Sequence, residues 1–106
     1  MEARTGKKVI DIEIKALSLL KESISSDFSK VVNLLLKNKG KIIVSGIGKS
    51  GHIASKIAST LSSVGSPSFY IHPSEANHGD LGMLEKKDSV ILISNSGETS
   101  ELINLI

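Results

Sequence analysis

Three short runs hold the residue types that chemistry needs. In the first, Gly46, Gly48 and Gly51 stand as Gly-x-Gly-x-x-Gly, with Lys49 and Ser50 inside the pattern. A glycine turn between a strand and a helix lets backbone N–H groups approach a phosphate, as in dinucleotide-binding folds, where an acid ending the second strand takes the ribose hydroxyls. Here that strand ends in Ile71-His72-Pro73-Ser74, and the first acid is Glu75. Gly48-Lys49-Ser50 also resembles the end of a P-loop, but the glycine required five residues earlier is Ile43. Nucleotide binding fails on both patterns. What remains is an anion cradle, or glycines that serve only a tight turn.

The second run, Ser94-Asn95-Ser96-Gly97-Glu98-Thr99-Ser100-Glu101, places four hydroxyls and a glycine between an apolar strand and a helix start. N–H groups at a helix N-terminus attract anions, and hydroxyls donate further bonds without adding charge. The ligand this suits is a phosphate. The plain alternative is an N-cap followed by a serine-rich turn. A serine hydrolase is disfavoured by the absence of Gly-x-Ser-x-Gly around Ser96. In the third run, 72–80, His72, Glu75, His78 and Asp80 invite a metal reading. Nothing in their spacing makes them converge. A histidine acting as acid or base on a sugar suits the run better.

The elements that carry these runs follow from periodicity. Apolar residues at 10, 14, 17 and 20, widened by Ile12 and Leu19, predict a helix over 9–20. Ser25 or Ser26 caps a second helix over 27–37, with Phe28, Val31, Val32, Leu34 and Leu35 on the side expected to be buried. A β-branched run over 41–44 reads as a buried parallel strand. A helix over 50–63 follows, with Ile53, Ile57, Ala58 and Leu61 inward, then strands over 68–71 and 89–93 and a helix starting at Thr99. The alternation predicts an α/β fold: a three-layer sandwich around a parallel sheet, flavodoxin-like, preceded by two N-terminal helices. All three runs follow strands, so all open on the carboxyl edge of the sheet, where ligands bind if strand order reverses. If the order is 2-1-3, the loops after the first and third strands flank the same crevice. Residues 1–40 are expected to form a helical segment packing on the domain begun by 41–106. The last helix has no C-cap signal, which reads as the N-terminal part of a longer protein.

Composition narrows the function classes. The chain has 106 residues, 40% hydrophobic and 23% charged, which fits one soluble domain. It has no cysteine, so disulfides, thiolate metal sites and cysteine nucleophiles are absent. A net charge of +2 with 3% aromatics gives neither the basic face nor the stacking platforms of a nucleic-acid binder. No window has the roughly 20 apolar residues of a membrane span, and the polar start at 1–8 is no signal peptide. The expected location is the cytoplasm.

Taken together, 45–52 (Ser-Gly-Ile-Gly-Lys-Ser-Gly-His), 67–83 with its His-Pro-Ser-Glu-Ala-Asn-His-Gly-Asp, and 93–101 (Ile-Ser-Asn-Ser-Gly-Glu-Thr-Ser-Glu) closely resemble the D-arabinose-5-phosphate isomerases of the sugar isomerase (SIS) domain superfamily. The resemblance runs from about Val9. Its implied activity is interconversion of arabinose 5-phosphate and ribulose 5-phosphate, which supplies the precursor of the lipopolysaccharide sugar Kdo. It further implies that Ser94, Ser96 and Thr99 hold the phosphate, with Gly48, Ser50 and Ser100 in the same binding set. Lys49, His78 and Glu101 lie in the active site. Such a reaction needs a base to move a proton between C1 and C2 and positive charge where the enediolate oxygen develops, roles open to a carboxylate and to Lys49. It needs no redox cofactor, and no metal is assigned. The family's paired CBS domains are absent from this sequence. The expected partners are a sugar phosphate and further copies of the chain, as a homodimer or homotetramer through the helices of 9–36. A non-catalytic module that senses a sugar phosphate is the alternative.

Overall fold

The computed structural model describes residues 1–74 and 84–95. Their elements are α1 (Glu2–Ser23), α2 (Ser26–Lys37), β1 (Ile42–Gly46), α3 (Lys49–Ser63), β2 (Ser68–Tyr70) and β3 (Ser89–Ile93). Among them no helix is long and apolar enough to cross a membrane. The helix expected from Thr99 lies outside the described residues.

The chain divides into two units, Met1–Leu34 and Leu35–Ile106. In the first, α1 begins seven residues before the apolar stripe does. Its opening turns contain the good helix formers Glu2, Ala3, Arg4, Lys7 and Lys8 around Thr5 and Gly6, with Glu2 suited to the positive end of the dipole and the Met1 carbonyl accepting the Thr5 N–H at 3.0 Å. The backbone N–H of Asp27 donates to Ser25 Oγ at 3.3 Å, so Ser25 supplies the expected cap of α2. The helical periods are as expected, but burial is not. Neither helix has a buried residue, and Phe28, Val31, Val32 and Leu34 are all exposed; Leu35, which belongs to the second unit, packs against that unit's core. Periodicity assigns apolar residues to one face and is silent on whether a neighbour covers it.

The second unit is a parallel sheet in the order β2-β1-β3. β1 is the centre strand, and all five of its residues are buried, as its unbroken apolar run requires between two neighbours. Ile42 and Val44 face α3 with Ala54 and Ala58, while Ile43 packs on the opposite face with Ile71 and Leu84. Burying each such aliphatic side chain contributes about 1.5–3 kcal/mol. α3 meets the sheet through small residues, Gly51, Ala54 and Ala58, with Ile57 and Leu61 beside them. Ile53, expected to point inward, is 56% exposed. Close helix–sheet approach favours the small-residue face, which turns Ile53 about 100° away from Ala54.

The amino edge of the sheet is fastened by one carboxylate. Asp88 accepts the Lys41 N–H at 2.7 Å and the Glu85 N–H at 2.9 Å, and its Oδ2 lies 3.3 Å from Lys41 Nζ. Its side chain is 1% exposed, and the backbone N–H of Glu85 first, then that of Lys41, holds its pKa below the usual carboxylate value. Asn38 adds bonds to the Gly40 and Lys41 carbonyls and accepts the Ser89 hydroxyl at 2.9 Å. With this edge closed, the opposite one is left for a ligand.

Candidate functional site

The turn from β1 into α3 is shaped by three glycines with three different duties. A Cβ on Gly46 would lie 2.9 Å from the Ile93 carbonyl and from the Ser50 backbone, so only glycine lets β1, β3 and the first turn of α3 meet there. Gly48 has φ +63° and ψ −129°, a conformation that costs other residues strain. A Cβ on Gly51 would lie 2.7 Å from the Gly46 carbonyl oxygen. This pattern brings helix and strand close without any acid after β2.

Gly48 therefore ends the turn, and Lys49 and Ser50 open α3 with no side-chain cap on its N–H groups. Lys49 is exposed and pairs with no carboxylate among the described residues. Its charge is available to a ligand. Gly46 stands opposite Ile93 in the β1–β3 register, so Ser94, the next residue of β3's chain, emerges beside the glycine turn. Two of the three runs thus meet at one edge, at the point where strand order reverses. Ser96, Thr99, Ser100, Glu101 and His78 lie outside the described residues. So do Glu75 and Asp80 of the third run.

The third run enters the site through His72, joined by residues to which no motif assigned a role. A cavity of about 310 Å³ is lined by Gly48, Gly51, His52, Ser55, Tyr70 and His72. The Tyr70 hydroxyl donates to the Gly46 carbonyl at 2.9 Å and so ties β2 to the glycine turn. Ser45 Oγ, fully buried, donates to the Ile71 carbonyl, and the Ile71 N–H donates to the Val44 carbonyl at 3.1 Å, which holds the end of β2 beside β1. His72 Nδ1 accepts the Ser74 N–H at 3.0 Å. His72 is one of the two histidines weighed in the sequence for metal binding and for acid–base work on a sugar; His52 was visible only as the polar residue closing the glycine run, and Tyr70 was not visible, because in a strand it reads as one more aromatic. Among the described residues no group of three or more potential ligands gathers around a metal position.

Comparison with known proteins identifies what the chain is similar to. The family model for the SIS domain matches residues 35–106. The chain is 56% identical over 101 residues to an uncharacterised protein of Rickettsia prowazekii, matching 95% of this chain and 32% of that one. It is 48% identical over 103 residues to an arabinose 5-phosphate isomerase of Yersinia pestis, matching 97% of this chain and 31% of that enzyme. A solved structure of an E. coli CFT073 protein in complex with arabinose 5-phosphate superposes with a TM-score of 0.88 at 46% identity, over 95% of this chain and 54% of that one. The chain spans about a third of the length of the curated relatives it matches.

Proposed function

The chain belongs to the SIS domain family, and on that premise we propose that it carries the phosphosugar-binding edge of an aldose–ketose isomerase acting on arabinose 5-phosphate and ribulose 5-phosphate. The observation that carries the reading is the Gly46–Ile93 pairing, which sets the Lys49 turn and the Ser94 loop side by side at the carboxyl edge of the sheet. The phosphate is held by the serine-rich run, Ser94, Ser96, Thr99 and Ser100, with Gly48 and Ser50 across from it. Anchoring the phosphate uses binding energy to fix C1 and C2 at a set distance from the protein's reacting groups.

In the isomerisation a base removes the C2 proton of the aldose, an enediolate forms, and a proton is returned at C1 to give the ketose. Glu101 is assigned the proton transfer and His78 a supporting acid–base role, while Lys49 meets the negative charge on the enediolate oxygen. We place the activity in the cytoplasm, supplying the arabinose 5-phosphate used for Kdo, and infer that copies of the chain associate through α1 and α2.

The test is incubation of the protein with arabinose 5-phosphate in deuterated water. The expected result is ribulose 5-phosphate with solvent deuterium at C1. Binding of arabinose 5-phosphate without turnover would instead favour a sensing module, and absence of both binding and turnover would overturn the reading.

A further inference from the structure

We propose that the cavity between α3 and the end of β2 is the subsite that reads the hydroxyl-bearing end of the sugar phosphate, and that His72 is its specificity-determining donor; this rests on the reading above. The β1–β2 pairing runs to Val44–Tyr70, the Ile71 N–H still donates to the Val44 carbonyl, and His72 just beyond lines one cavity with Gly48 and Gly51, while Gly46 is level with Ile93. His72, the glycine turn and the start of the serine run therefore form one row across the carboxyl edge. Neighbouring strands are about 4.8 Å apart, so the row is roughly 10 Å long. From C1 to phosphorus a pentose 5-phosphate has six bonds of about 1.5 Å and extends to about 7–8 Å. A ligand whose phosphate sits at the Ser94 end reaches the His72 end with room for one hydrogen bond on each side.

The chemistry of the cavity fits that end of the ligand. A backbone N–H can only donate, so His72 Nδ1, which takes the Ser74 N–H, is an acceptor, and the neutral ring carries its proton on Nε2. One N–H donor is thus presented beside the Ser55 hydroxyl and the His52 ring. Among the described residues the lining contains no lysine, arginine or carboxylate, and its histidines, serine and tyrosine suit neutral hydroxyls and a carbonyl. Its volume of about 310 Å³ is at the lower end for small-molecule sites, roughly 300–1,000 Å³.

The experiment compares two ligands by titration calorimetry, inorganic phosphate and arabinose 5-phosphate. Wild-type protein is expected to bind the sugar phosphate more tightly. His72→Asn keeps an acceptor near Nδ1 and has nothing at Nε2; it should lower sugar-phosphate affinity about five- to tenfold, the loss of one hydrogen bond, and leave inorganic phosphate unchanged. His72→Gln, whose amide nitrogen reaches the Nε2 position, should recover part of the loss. If thermal melting shows that His72→Asn does not fold, His52→Ala, an exposed change on the same cavity, should give the same split between ligands. Equal weakening of both ligands, or of neither, overturns the subsite. Wild-type protein that binds both ligands equally also overturns it while leaving the phosphate anchor in place. Wild-type protein that binds neither removes the proposed function and this inference with it.

Discussion

Gly48 and Lys49 are neighbours with opposite requirements, and each predicts a different experiment. Gly48 holds a positive φ that its sequence neighbours do not adopt, although a side chain there would have open space around it. The cost of Gly48→Ala is therefore conformational and not steric: about 1–3 kcal/mol of stability, measurable as a lowered denaturant midpoint at unchanged slope. Lys49 is exposed, so Lys49→Ala should leave stability within about 0.5 kcal/mol. Its effect belongs to the reaction. If its charge meets the enediolate, turnover of arabinose 5-phosphate falls by about 10²–10³ with little change in KM, since that charge exists fully only beyond the ground state. A raised KM at normal turnover would mean that Lys49 only neutralises the phosphate.

Between elements, the sheet is tied differently at its two edges. At the amino edge Asp88 joins the turn before β3 to the residue before β1, and Gly40 is needed beside it because a Cβ there would collide with Asp88 Oδ1 and the Lys87 carbonyl. The folded state lowers the Asp88 pKa, with the Glu85 and Lys41 N–H bonds as the main causes. This contribution is thus fully present above the unfolded value of about 4, and is lost as pH falls through the lower folded value. Denaturation series from pH 7 to pH 2 should show the wild type losing more stability below about pH 4 than Asp88→Asn, whose curve lacks this titration. Parallel curves would mean that other carboxylates govern acid unfolding. At the carboxyl edge the ties are hydroxyls, Ser45 to the Ile71 carbonyl and Tyr70 to the Gly46 carbonyl, and they hold backbone without occupying the cavity with charge.

The molecule as a whole exposes more aliphatic surface than two solvated helices need. Ile10, Ile14, Leu17 and Leu20 on α1, and Phe28, Val31 and Leu34 on α2, are each more than half exposed. Apolar stripes of this extent mark contact surfaces, and self-association is the occupant proposed for them. Light scattering at roughly tens of micromolar should then give a mass above the 11.2 kDa of one chain. The double change Leu17→Lys and Val31→Lys should return it to monomer without disturbing the sheet, whose core contains neither residue. A monomeric wild type would leave those faces to another partner.

Local chemistry explains what the sequence determined by itself. The unbroken run Ile42-Ile43-Val44 and the alternation of strand with helix specify a buried parallel strand, and the edge on which every following loop opens is then set by chain direction. The glycine turn was legible because Gly46, Gly48 and Gly51 satisfy backbone needs that few residues meet. Register and coverage were not legible, because they depend on residues distant in the chain. Nothing near Tyr70 announces that its hydroxyl reaches Gly46, 24 residues away, and nothing near Asp88 announces Lys41, 47 residues away. The helical stripe of 9–36 was visible, but its exposure was not, since periodicity records a face and only the folded chain decides what lies against it. For the same reason Tyr70 became a site residue only in three dimensions: its hydroxyl reaches the Gly46 carbonyl because β2 pairs with β1, which no spacing along the chain encodes.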